Sequence, residues 1–381
     1  VRRWQEILEI NNPHLTGSTM KELDLPEHPL LPTYSLKLYG KGRLLITGFP
    51  GVGKTVLARQ LIGHLAKRGL KNAYYIDMKD VGDKEAFVEW LERVVMPDIV
   101  VLDHLPYPIP TSIKALQIVD RAGEDMPPLT FLWYLRMRGE DELADEILSL
   151  KTIEDFAVHM QWNAVMLHHL FNLYLKGGGL PGHVKDKDIN IEGDLYRLES
   201  HLRGAKRTVA SWLGKNASSE VTFLQIAEMT GLTRQTVAKV ITELENMHVI
   251  NVINNNNSKE KRRKKLVLFT SPIGYGYNPV ARVRLQKIHL LSIIASHLRG
   301  NVHTVKEKRV KIDLVTGKHY IFVISGEEEL PPALRRAKKL TDKPSIIVSL
   351  MPTTPRKPHQ GVIITPAFYY DFIVKKLPSL L

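Results

Sequence analysis

The eight residues Gly48-Phe49-Pro50-Gly51-Val52-Gly53-Lys54-Thr55 fit the spacing G-x-x-x-x-G-K-[ST]. Before them, Leu44-Leu45-Ile46-Thr47 is an apolar run of strand length. After them, Leu57, Leu61, Ile62 and Leu65 recur at helical spacing between Val56 and Arg68. A strand, a glycine turn and a helix in that order make a phosphate-binding loop. The glycines let backbone N–H groups turn inward around a polyphosphate, and the helix adds the positive end of its dipole. On this reading Gly48, Pro50, Gly51, Val52, Gly53, Lys54, Thr55 and Val56 surround a nucleotide. Lys54 reaches the β- and γ-phosphates and Thr55 holds Mg²⁺ through its hydroxyl, so ATP and Mg²⁺ are the expected cofactors.

The pattern from Leu44 onward alternates strands and helices. Asn72 to Asp77 reads as a strand, Asp83 caps a helix running to Val95, and Asp98 to Asp103 is a third element of strand type. Such alternation builds a mainly parallel sheet covered on both faces. Four apolar residues followed by an acid place Asp103 where it would bind the Mg²⁺ water shell opposite Thr55. The next residue is His104, where ATPases that activate water with a carboxylate commonly carry Glu. Neutral histidine can accept a proton, and it can equally pack at a strand end. A fourth strand is expected over Leu129 to Leu135, which brings Arg136 or Arg138 to the strand end as a γ-phosphate sensor or arginine finger. Arg136 is the candidate, with a solvated surface arginine as the alternative.

Composition narrows the class. The chain of 381 residues is 44% apolar and 24% charged, which is ordinary globular composition for two or three domains. There is no cysteine, so disulfides, thiolate metal sites and cysteine nucleophiles are excluded. No apolar run approaches the roughly 18 to 20 residues of a membrane span, and the arginines near the start lead into no apolar signal region. A cytoplasmic protein without membrane contact is expected. The net charge of +13 is unevenly placed: residues 1 to 193 hold 22 Lys/Arg against 26 Asp/Glu, and residues 194 to 381 hold 31 against 14. The halves therefore carry −4 and +17. An acidic partner for the second half, nucleic acid above all, fits that asymmetry, as does a lysine-rich solvated surface.

Within the basic half, one helix runs from Asp194 to about Gly214. A helix from Thr222 to Met229, a turn at Gly231 and a second helix from Thr233 to about Met247 then form a helix-turn-helix pattern. Thr233, Arg234, Gln235, Thr236 and Lys239 lie on the leading turns of that second helix and are types that contact phosphates and base edges. Val249 to Ile253 and Leu266 to Phe269 read as two strands joined by a polar tip. Six of the seven residues from Lys259 to Lys265 are basic. Lys261, Arg262, Arg263, Lys264 and Lys265 are the expected phosphate contacts of this wing, and duplex DNA is the expected partner. A protein partner or self-association is the alternative use of such an element. Residues 280 to 381 add a small mixed α/β domain.

Taken together, Gly48 to Thr55, Asp103, the segment Leu148 to Phe156 and the break Gly178-Gly179-Leu180-Pro181 resemble the prokaryotic, largely archaeal, AAA-type ATPases. That family joins a P-loop domain to a winged helix and a C-terminal domain of restriction-endonuclease-like fold. The resemblance implies an α/β fold with a P-loop NTPase (AAA-like) parallel sheet, then a winged helix-turn-helix and a small endonuclease-like domain. The implied boundaries are an arm at 1–40, the ATPase core at 41–150, a helical segment and linker at 151–193, the winged helix at 194–275 and the last domain at 280–381. The family usually has Asp-Glu where this chain has Asp103-His104, so hydrolysis is expected to be slow. A nuclease of this fold needs Glu-x-Lys on its central strand, and Tyr320 to Gly326 contains neither, which leaves Asp313 alone. The expected function is an ATP-dependent DNA-binding protein. A nucleotide-gated protein-interaction switch is the alternative.

Overall fold

The computed structural model describes residues 2–380 apart from 17, 19, 71, 121–122, 185–188, 217–219, 255–263, 299–301 and 308–309. Two compact units are present. One comprises Val1–Met126 with Asn246–His248, and the other Pro127–Glu245 with Val249–Leu381.

The first unit is built on a five-stranded sheet of β1 (Arg43–Thr47), β2 (Ala73–Asp77), β3 (Ile99–Leu105), β4 (Lys114–Val119) and β5 (Glu124–Asp125), in the order β2-β3-β4-β1-β5. Every pairing is parallel. Strands buried on both faces read as nearly continuous apolar runs, and Ile46, Ile76, Val101, Leu102 and Leu116 are all fully buried. Helix α1 (Arg2–Asn11) packs Trp4 against Phe87 and Trp90, with ring centroids 5.7 Å apart in both cases. It is also stitched to the edge strand: Asn12 Oδ1 accepts from the Tyr75 N–H at 2.7 Å and its Nδ2 donates to the Tyr75 carbonyl at 2.8 Å. One side-chain amide thus does for the edge of β2 what a neighbouring strand would do. Helices α2 (Leu31–Lys41), α3 (Lys54–Lys67) and α4 (Lys84–Trp90) complete the unit. Asp83 caps α4 by accepting from the Ala86 N–H.

The strand expected over Leu129 to Leu135 is a helix, and the fourth strand lies earlier in the chain. A short apolar run has no period that separates strand from helix. Thr130 caps α5 (Phe131–Arg138), whose buried Phe131 and Tyr134 meet Tyr174 at 5.5 Å each. This packing groups residues 127–150 with the second unit instead of with the 41–150 core.

The second unit continues with α6 (Asp141–Ser149) and α7 (Ile153–Lys176), which opens on a Thr152/Asp155 capping box. At Gly178 the chain turns with φ +63°, and an added Cβ would lie 2.1 Å from Ser271 Oγ, so only glycine fits. The single helix expected from Asp194 is broken at Gly204 into α8 (Ile191–His201) and α9 (Ala205–Asn216). Helices α10 (Phe223–Thr230) and α11 (Arg234–Asn246) follow, then the antiparallel hairpin β6 (Ile250–Asn254) and β7 (Lys265–Phe269). After α12 (Pro279–Val283) and α13 (Lys287–Leu298), a six-stranded sheet forms in the order β12-β13-β11-β10-β9-β8. Its strands are β8 (His303–Glu307), β9 (Val310–Val315), β10 (Tyr320–Ile324), β11 (Ser345–Ser349), β12 (Arg356–His359) and β13 (Val362–Pro366), with α14 (Leu330–Ala337) and α15 (Tyr370–Leu380). The polar edge strands β8 and β12 carry no apolar run, so no local pattern marks them in the sequence. Among the described residues no helix is long and apolar enough to cross a membrane.

Candidate nucleotide site

The loop between β1 and α3 takes its shape from its glycines. Gly48, Gly51 and Gly53 have φ of +150°, +90° and +98°, values that side chains with a Cβ rarely adopt. The turn brings α3 into register directly behind it, with Gly53 at the N-cap and Lys54 opening the helix. Lys54 folds back over the loop, where Nζ donates to the Gly48 carbonyl at 2.8 Å and the Phe49 carbonyl at 3.1 Å. Burial pushes this ammonium down to about 8, against the pull of the Asp103 and Asp120 carboxylates.

Asp103 lies at the centre of the polar cluster and is fully buried. Its Oδ2 accepts from Thr55 Oγ1 at 2.7 Å and from the Tyr75 hydroxyl at 2.8 Å, and its Oδ1 accepts from the His104 N–H at 2.7 Å. Burial and then the adjacent Asp103 carboxylate raise the Tyr75 phenol far above its ordinary range, so it stays a donor. Arg59 covers the other side of that ring at 4.7 Å. The Thr55 hydroxyl and the Asp103 carboxylate are hard oxygen donors at the mouth of the loop, a set that suits Mg²⁺. The residues present therefore fit both a polyphosphate and its cation.

His104 departs from regular strand geometry. Asp77 pairs with Asp103 across β2 and β3, and the β3–β4 register then slips between Leu102 and Leu105. His104 takes φ +58°, a conformation costing on the order of 1 kcal/mol for a residue with a Cβ. Its Nδ1 meets Asp77 Oδ1 at 2.8 Å. Burial alone would raise the Asp77 carboxyl, but the His104 and Lys79 N–H contacts outweigh it and the net shift is downward.

No protein-family model and no curated protein matches the chain. Among solved structures, a replication initiator DnaA bound to AMPPCP and single-stranded DNA is 15% identical, covering 62% of this chain and 92% of that one, with a TM-score of 0.22. Drosophila ORC bound to DNA is 13% identical, covering 68% and 98%, also at 0.22. Likeness at that level leaves the fold to rest on the glycine loop and the parallel sheet.

Several expected site residues stand elsewhere than the sequence suggested. Arg136 is not at a strand end: it lies on α5 in the second unit, paired with Asp145 at 2.7 Å and stacked over Trp133. The strand end expected of it belongs to β4, which lies between β1 and β3 and runs into Asp120. Asp120, which no motif singles out, is one of the two carboxylates acting on Lys54. Its signal was the run Ala115 to Val119 closing on an acid, interrupted by Gln117. That glutamine is buried in the strand because its amide pairs with both the N–H and the carbonyl of Ile109.

In the second unit Arg234, Gln235 and Lys239 are exposed on α11, opposite the buried Val237, Val240, Ile241 and Leu244. Thr233 caps that helix: its Oγ1 accepts from the Thr236 N–H at 3.1 Å and lies 2.8 Å from the Thr236 hydroxyl. Both hydroxyls are therefore engaged locally. Lys264 is exposed, whereas Lys265 holds its ammonium over the Phe223 ring at 5.3 Å and pairs its backbone with Val221. Lys261, Arg262 and Arg263 lie outside the described residues.

Proposed function

We propose that the chain is a Mg²⁺-dependent ATP-binding protein that hydrolyses slowly and binds duplex DNA through its second unit, with nucleotide state controlling conformation. The observation that carries the reading is the Lys54, Thr55 and Asp103 cluster, assembled at the end of a glycine loop in a parallel sheet. Thr55 and Asp103 would hold Mg²⁺, which when bound neutralises charge on the β- and γ-phosphates. Lys54 would exchange its two loop carbonyls for phosphate oxygens, a stronger charge-assisted bond. ATP acts chiefly as a conformational ligand because His104 occupies the place of the usual carboxylate. Steady-state turnover is expected well below the median enzyme value of about 10 s⁻¹, and His104→Glu is expected to raise it. A parent that turns over at that median, or a slower His104→Glu variant, contradicts the explanation.

On this reading α10, α11 and the β6–β7 hairpin are a winged helix, with Arg234, Gln235 and Lys239 offered to the major groove and the basic residues Lys261, Arg262, Arg263 and Lys264 to phosphates. The exposed face of α11 supports it. Fluorescence anisotropy with a labelled duplex across a salt series is the measurement. Replacing both Arg234 and Lys239 with alanine is expected to weaken binding and reduce the slope of log affinity against log salt by about 2. Unchanged affinity and slope would remove α11 from the interface. Absence of any duplex binding by the parent favours the nucleotide-gated protein switch instead.

The last 100 or so residues are read as a docking module of endonuclease-like fold without cleavage activity. Asp313 Oδ2 is committed to Lys287 Nζ at 2.8 Å and to the Val323 N–H at 2.9 Å. Among the described residues no group of three or more His, Asp or Glu side chains converges as metal ligands.

A further inference from the structure

Neighbouring parallel strands in register point matched side chains to the same face, so Asp77 and Asp103 share one face of the sheet. His104, one residue on, would face away in a regular strand. The slipped register sets Asp103 and His104 together against the single residue Ile118, and a bulge of this kind re-aims a side chain. The result is visible in the distances: His104 Nδ1 lies 2.8 Å from Asp77 Oδ1 and 3.7 Å from Asp103 Oδ2. An ionised carboxylate only accepts, so the bond to Asp77 requires the proton on Nδ1. In the neutral ring Nε2 is then the acceptor nitrogen, and among the described residues no hydrogen bond to it is formed.

We propose that Asp77 is a positioning residue for hydrolysis, holding the His104 ring so that Nε2 accepts a hydrogen bond from the attacking water. The proposal rests on the ATP reading of the loop and deepens it. Water oxygen bonds to the γ-phosphorus while the bond from that phosphorus to the β–γ bridging oxygen breaks. The bridging oxygen keeps the electron pair and leaves on ADP. In a loose transition state the water proton moves late and ends on the inorganic phosphate, so the ring orients the nucleophile through a hydrogen bond. A histidine held this way by a carboxylate is a common device for fixing tautomer and ring plane.

The test reads binding, rate and tautomer separately. Titration with a fluorescent ATP analogue is expected to give Asp77→Asn the parent's affinity, because Asp77 hydrogen-bonds with Asn11, Lys79 and His104, none of them in the loop. Single-turnover hydrolysis is expected to fall about tenfold or more, since an asparagine amide can donate to Nδ1 and favours the opposite tautomer. Combined with His104→Ala, Asp77→Asn should lower the rate no further than His104→Ala alone. Nitrogen-15 shifts of the nucleotide-free protein, assigned by difference against His104→Gln, should show Nδ1 protonated and Nε2 bare. A parental rate in Asp77→Asn overturns the proposal. So does a proton on Nε2, or a parent that binds ATP and never cleaves it. A parent that fails to bind the analogue sinks the ATP reading itself, and does so before any rate is measured.

Discussion

Lys54→Ala is expected to lose nucleotide affinity by about a hundredfold or more, the largest effect of any single substitution in the first unit. Removing one partner of a desolvated charge pair costs about 2 to 5 kcal/mol, and the phosphates would be left without their only cation from the loop itself. The folded chain should survive the change. Burial holds the Lys54 ammonium at about 8, well below its ordinary value, so deleting a strained charge removes a cost as well as two carbonyl contacts. Isothermal titration with ATP and Mg²⁺ gives the affinity directly. A thermal melt gives a second reading: saturating ATP at about 100 times Kd stabilises the parent by about 2.7 kcal/mol and should leave the variant where it was. Equal affinity in parent and variant would mean that the glycine loop is only a turn.

Acid is expected to unfold the protein well above the range where carboxylates protonate. Burial lowers three histidines from 6.5 to about 4: His28 in the first unit, and His289 and His319 in the second. Each is at most 3% exposed. Opposing contributions are small, a Val52 backbone bond raising His28 slightly, while Lys318 and Lys343 lower His319 further. The sign follows from proton counting. Between about 4 and 6.5 the unfolded chain binds more protons at these rings than the folded chain does, so stability rises with pH across that window. Their full contribution is present above 6.5 and is lost as pH falls toward 4. At pH 5 each ring forfeits about 2 kcal/mol, and three of them approach a typical total stability of about 5 to 15 kcal/mol. Urea midpoints at pH 7, 6 and 5 check this. His319→Leu should flatten the slope for the second unit, since both nitrogens of that ring are buried without partners and leucine leaves no ring to protonate. A midpoint independent of pH down to 5 would show that these rings titrate normally.

Local chemistry determined the parts of the site that lie within one element or at its end. The Gly48 to Thr55 spacing specifies the loop because only glycine tolerates its φ values, and four apolar residues closing on Asp103 specify a buried strand with an acid at its mouth. The two helices either side of Gly231 were legible for the same reason: Thr222 caps, Gly231 turns with φ +71°, and the apolar period picks out the buried face of α11. Tertiary structure decided whatever depends on neighbours. The run Leu129 to Leu135, apolar but for Thr130, becomes helix because Phe171 and Tyr174 supply a surface for it, and no local period states that preference. Asp120 joins Lys54 only because β4 is placed between β1 and β3, a matter of strand order that residues 114–120 do not encode among themselves. Lys265, half-buried, sets its ammonium over the Phe223 ring through an approach that spacing cannot show. His104 meets Asp77, 27 residues away, because a slip in strand pairing turns its side chain, and register is set by the whole sheet through the burial of every residue in it.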